Sequence, residues 1–175
     1  GTGEGYGGAL FYLLAYTVMN VGAFGVLAAL EWDKEQGAIQ DIESLAGSGY
    51  RQPILGVTMG VFLFALTGFP PLAGFIGKYL VFAAAVDAGL TWLAVVGVLA
   101  SVVSAYYYLR ILVVMWMKPE TDAPEAARQP FALATSTTVV LSLCALLLLI
   151  LGVMPGGVIE AAQSYFDAGA IVAGR

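Results

Sequence analysis

Lys78 stands inside the apolar stretch GFPPLAGFIGKYLVFAAAV, with no other charged residue between Arg51 and Asp87. An ammonium at bilayer depth costs roughly 2.5–3.5 kcal/mol on insertion scales. Residues kept at that cost handle ions or protons, with a partner in reach. Pro70 and Pro71 lie just before it and must break any helix that runs into them. The chemistry this spacing offers is proton exchange at an interrupted membrane helix. Lys78 falls early in the second half-helix, whose N-terminal dipole end is positive. That end and burial both oppose the charged amine, and an approaching carboxylate would restore it. No carboxylate lies within the apolar spans, so the partner is expected outside this sequence. The competing reading is a lysine that snorkels to the headgroups.

A second set of polar residues recurs on one helix face. Tyr12, Tyr16 and Asn20 are spaced by four, with Thr17 beside them. They read either as interhelical hydrogen-bonding groups or as a stripe that holds water beside a proton path. Arg110 is placed to snorkel to the same surface as Lys118. Tyr106, Tyr107, Trp92 and Trp116 read as interface anchors and packing. Asp41 and Glu43 are expected in a solvated loop. Gly56 and Gly60 form a small-xxx-small pair, suited to close helix packing. Gly3, Gly5 and Gly8 match G-x-G-x-x-G, but no strand precedes them and an apolar span follows, so no dinucleotide site is read there.

These residues need membrane helices to position them. Of 175 residues, 60% are hydrophobic and 11% charged, against about 45–50% apolar in soluble domains. Several stretches of about 20 residues lack charge, the pattern of a polytopic membrane protein. A net charge of −5, with no basic cluster, argues against nucleic acid. The absence of histidine excludes histidine-based metal sites and relays. Cys144 lies in LSLCALLLLI and reads as a small apolar packing residue. The chain opens on Gly1. No basic segment leads into a short apolar stretch with a cleavage site, so no signal peptide is read, and the start is expected to lie inside a longer protein.

The reading is an all-α polytopic membrane protein, with 1–175 forming a single membrane domain. Spans are expected at about 9–30, 53–86, 90–117 and 131–154, followed by a surface tail over 156–175. As one helix, 53–86 would be about 50 Å long, too long for a core of about 30 Å. It is either a hairpin of two short spans or one discontinuous span broken at Pro70-Pro71. Irregular backbone is tolerated at that depth where protein or a water-filled cavity surrounds it. A single broken span puts Lys34, Arg51, Lys118 and Arg128 on one side, leaving only Arg175 opposite. The positive-inside rule favours that arrangement, with the two basic loops cytoplasmic. In the tail, Val158, Ile159, Ala162, Tyr165 and Phe166 recur at helical spacing, the pattern of a helix lying along the membrane surface.

The string LTGFPPLAGFIGKYLVFAAAV, followed by VSAYYYLRILVVMWM, resembles the antiporter-like membrane subunits of proton-pumping NADH:quinone oxidoreductase, complex I. The opening YLLAYTVMNVGAFGVLAAL and the AYYYLR run are most similar to the subunit N branch, the counterpart of mitochondrial subunit 2. The resemblance covers nearly the whole chain and corresponds to the last four of fourteen helices. It implies a fold of two inverted five-helix repeats with added helices, set in the bacterial cytoplasmic (inner) membrane. It further implies a discontinuous helix whose lysine relays protons; Lys78 takes that position, and Gly68, Pro70, Pro71 and Gly74 match the break. Sibling subunits carry a histidine and a lysine on the preceding helix, about where Tyr16 and Asn20 stand here; a relay through these two would need water. NAD, FMN, iron–sulfur clusters and quinone are expected in partner subunits and no cofactor in this chain. The implied partners are other membrane-arm subunits and the remainder of the same subunit. A multisubunit cation/proton antiporter or a membrane-bound hydrogenase shares the same pattern, and a structural segment without a proton role is the remaining alternative.

Overall fold

The computed structural model describes residues 3–31, 41–119 and 134–172. Among them the elements are all helical. They run α1 (Gly3–Glu31), a 3-10 turn (Ile42–Leu45), α2 (Ser48–Arg51), α3 (Pro53–Thr67), α4 (Ala73–Asp87), α5 (Thr91–Met117), α6 (Thr135–Val153) and α7 (Gly156–Val172). Three helices, α1, α5 and α6, are long and apolar enough to cross a membrane. α3 and α4 have 15 residues each, about 22 Å at 1.5 Å per residue. Neither alone can cross a core of about 30 Å.

Together they make one crossing. The side of α1 meets them in order along its length, with Gly8 against Leu80, Tyr12 against Gly77, Met19 against Gly74 and Gly22 against Phe62. α1 therefore runs antiparallel first to α4 and then to α3, as to one interrupted rod. A hairpin would fold α4 back beside α3. α5 returns in the opposite sense, with Gly97 at Phe82, Leu112 facing Gly60 and Trp116 facing Gly56. The fourth span, α6, starts beside the end of α1, where Leu141 touches the position of Gly25. It reaches the break at Gly152.

The core gathers along one face of α1, through Phe11, Ala15, Met19, Ala23, Val26 and Leu30. The steps of four and three residues keep these side chains on one stripe. Met59, Phe62, Leu63 and Leu66 of α3 fill the other side. The outer faces are as apolar as the inner ones: Leu13, Val21 and Phe24 of α1 are 58%, 62% and 66% exposed. A helix that is apolar all round belongs in lipid or inside a larger protein, where close packing through small residues replaces the hydrophobic effect between helices.

The segment expected as a plain polar loop is ordered over 41–52. Asp41 caps the 3-10 turn by accepting from the Ser44 N–H at 2.8 Å. Gly49 packs against Trp116 and the Met115 carbonyl, so this segment sits on the C-terminal end of α5. Lys34, Arg128 and Arg175 lie outside the described residues. In the tail, Val158 and Ile159 pack against the core, α7 meets α1 where Gln163 faces Gly7, and Tyr165 is exposed. Part of the apolar face expected to lie on lipid is thus taken up by the bundle. The side chain of Phe166 lies outside the description.

Candidate functional site

The break begins with a helix terminus written in the sequence FALTGFPP. Gly68 has φ +90°, a left-handed conformation that favours glycine. Its N–H donates to Ala65 O at 3.0 Å, and the Phe69 N–H donates to Phe64 O at 3.0 Å. This is the Schellman pattern of helix ends, with its usual hydrophobic contact between the rings of Phe64 and Phe69, 5.6 Å apart. Pro70 and Pro71 follow and cannot continue the helix.

A helix leaves its last four carbonyls without intrahelical partners. The turn satisfies Phe64 O and Ala65 O. The other two, Leu66 O and Thr67 O, accept from Lys78 Nζ at 3.0 and 3.1 Å. The lysine of the second half-helix therefore completes the cap of the first. In lipid an unpaired carbonyl costs several kcal/mol, so the break needs this amine or water in its place. The position also amends the electrostatic reading from sequence, which counted only the positive end of α4. The ammonium meets the negative end of α3 as well.

Close approach holds the two halves in register. A Cβ at Gly74 would lie 1.8 Å from Ala65 O, so any side chain there would force α4 off α3. From α6, Gly152 abuts the Pro71 carbonyl and the backbone of Leu72 and Ala73; sequence reasoning had not assigned Gly152 to the site. One signal could have found it: a glycine still inside a leucine-rich span, one residue before its last, where helix propensity argues against glycine.

Lys78 is half-buried. An open groove of about 690 Å³ between α4 and α5 reaches it, with Thr67, Phe82, Val98 and Ser101 in its walls. Of the expected supporting residues, Gly68 lies beside the Lys78 side chain, Gly74 packs on Ala65 O, and Pro70 and Pro71 lie in the turn between α3 and α4. On α1, Asn20 Nδ2 donates to Tyr16 O at 2.8 Å, and Thr17 Oγ1 donates to Leu13 O at 2.8 Å. This stripe bonds its own helix. Where cross-helix hydrogen bonds were expected, the rings of Tyr12 and Tyr16 pack at 5.7 Å, and Tyr12 closes on Gly77.

At the other end of α5, Arg110 Nη2 lies 3.2 Å from Glu43 Oε1, and Lys118 Nζ donates to Glu43 Oε2. Glu43 was expected to be merely solvated. It instead ties its segment to α5 through two cations. The hydrogen bonds from Lys118, then from Arg110, hold its carboxyl below the usual carboxylate range.

A helical membrane bundle with two half-helices meeting inside it, and a titratable group at their junction, defines the class of transporter-like folds. Residues 1–104 match the family described as NADH:quinone oxidoreductase/Mrp antiporter, TM, and the chain belongs to that transmembrane family. It is 58% identical to NADH-quinone oxidoreductase subunit N of Salinibacter ruber, over 95% of this chain and 34% of the relative. It is 44% identical to NADH-quinone oxidoreductase subunit N 1 of Chloroherpeton thalassium, over 93% and 32%. Among solved structures, respiratory complex I from Thermus thermophilus with bound aureothin contains a chain of similar fold. The TM-score is 0.69 and the identity 34%, covering 90% of this chain and 34% of that one. The chain thus spans about a third of the length of the relatives it matches.

Proposed function

We propose that the chain is the C-terminal part of a membrane-arm subunit of NADH:quinone oxidoreductase, translocating protons coupled to quinone reduction, with Lys78 as a relay residue. The observation that carries the reading is an amine at membrane depth whose described hydrogen bonds all go to the free carbonyls of a helix break. Among the described residues no carboxylate bonds this amine, so a carboxylate or a water chain brought up to it can exchange its proton. Neutral carbonyls position the group; they cannot accept the proton. The transfer partner therefore comes from outside this contact, from the remainder of the subunit or from a neighbour. Gly68, Pro70, Pro71 and Gly74 shape the break. Tyr16 and Asn20 act only if water bridges them to the amine. NADH, flavin, iron–sulfur and quinone chemistry belongs to the partner subunits, and the membrane is the bacterial cytoplasmic one.

The test is Lys78→Ala in the complete complex, reconstituted in vesicles, with NADH:quinone reduction and proton uptake measured together. Both fall if Lys78 carries protons. Normal pumping in a fully assembled variant overturns the role. The family description also covers antiporters, so the second reading is a multisubunit cation/proton antiporter. Purification with flavin and iron–sulfur subunits favours the oxidoreductase, and purification without them favours the antiporter.

A further inference from the structure

We propose that the groove between α4 and α5 seats a spanning helix from the remainder of the subunit, and that this helix carries one carboxylate at the height of Lys78. The inference rests on the subunit assignment proposed above. It does not rest on proton transfer by Lys78, because it concerns what lies against the amine. An ammonium has three N–H donors. Lys78 Nζ gives two of them to Leu66 O and Thr67 O. The third remains, on a half-buried side chain that lines the groove. The two carbonyls are neutral and leave the charge uncancelled. Charged residues kept at membrane depth face protein or a water-filled cavity and pair there. No acidic residue lines the groove among the described residues, so the countercharge has to be brought in from outside them.

Depth decides between a helix and a lipid. Asp87 ends α4, and Lys78 precedes it by about 13 Å at 1.5 Å per residue. That is near half of a hydrocarbon core of about 30 Å. A lipid keeps its charged headgroup outside that core. An acyl chain could fill the groove, but it could not bring an anion to the amine. A side chain on a spanning helix can. The walls also fit a helix. From Thr91 to Ala105 the α5 wall rises about 21 Å, close to four helical turns. Tyr79, Leu99 and Val102 on the rim are 62%, 60% and 65% exposed, so the described helices do not cover them. The chain covers 34% of its Salinibacter ruber relative, so most of that protein lies outside the match and has to pack on faces of this third. The register is readable as well. Gly97 of α5 meets Phe82 of α4. One turn toward the break on each antiparallel helix brings Ser101 to the height of Lys78, and both line the groove.

The test places the photoreactive residue p-benzoylphenylalanine at Val98 in the complete complex, irradiates the membranes and identifies the cross-linked partner by mass spectrometry. The expected partner is a peptide of the same subunit, outside this chain, with an aspartate or glutamate inside an apolar run. Cross-links to lipid alone, to another subunit, or to a helix without a carboxylate overturn the proposal. If the probe at Val98 prevents assembly, Leu99 offers a second position on the same wall. A second measurement compares Ser101→Asp with its neutral counterpart Ser101→Asn. In a groove without an incoming carboxylate, the new carboxylate pairs with Lys78 and assembly is kept. With a carboxylate already seated, two like charges meet at one amine. The yield of assembled complex then falls about tenfold below that of Ser101→Asn. Equal yields from the two variants overturn the proposal. Neither measurement reads pumping, so the inference can fail while the relay role of Lys78 stands, and the reverse.

Discussion

At Leu66 O and Thr67 O the Lys78 amine fills hydrogen-bonding capacity that a helix end in lipid must satisfy, and it also carries the one charge of the span. Substitution separates the two roles. Arginine keeps donors for both carbonyls but does not release its proton. Lys78→Arg is therefore expected to assemble at close to wild-type levels while proton uptake in vesicles drops by about tenfold or more. Lys78→Met loses the cap as well, and both assembly yield and pumping should fall. Equal pumping by the arginine variant and wild type would leave only the capping role. Gly68 makes a second residue-scale test. Its φ of +90° costs a side chain about 1–2 kcal/mol, and a Cβ there also lies 3.1 Å from Lys78 Cδ. Gly68→Ala should lower the unfolding midpoint of the assembled complex, and Gly74→Ala should lower it further, because its Cβ meets backbone.

Among the elements, the broken span was readable because each of its parts is local. Phe64 to Pro71 contains the apolar pair, the left-handed glycine and the prolines of one helix end, and the length of 53–86 excluded a single rod. Partners far apart in sequence were not readable. Glu43 finds Arg110 and Lys118 across 67 and 75 residues, and no spacing rule announces such a contact. Gly152 meets the break from another span for the same reason. Asn20 bonds the Tyr16 carbonyl of its own helix, because an i, i+4 pattern reports a shared face and a short polar side chain can also satisfy itself on the preceding turn. The Glu43 cluster has a pH signature. Its carboxyl is held below the ordinary carboxylate range when folded, so the two ion pairs are intact above that range. They are lost as the pH falls through the depressed value. Hydrogen exchange over 41–52, taken relative to the intrinsic amide rate at each pH, should therefore be slow and flat near neutrality, then rise in acid. Glu43→Gln should show the faster exchange at every pH. Exchange that rises in acid equally in the variant would assign the effect elsewhere.

For the whole molecule, the outer faces of α1 and α5 are apolar, and the chain spans about a third of its relatives' length; such faces suit lipid or further protein. Arg51, Arg110 and Lys118 gather at one end, as the charge asymmetry of the sequence anticipated. With Cys144 replaced by serine, a single cysteine at Glu43 should react with an impermeant maleimide only from the cytoplasmic side. One at Asp87 should react only from outside; the reverse pattern would invert the orientation. A consequence of the shared cap reaches across the whole bilayer. If a neighbouring group draws the amine away, two oxygens at the end of α3 lose their donor together, and at that depth only solvent can replace it. Wetting of the end of α3 and departure of the amine are then expected to come together.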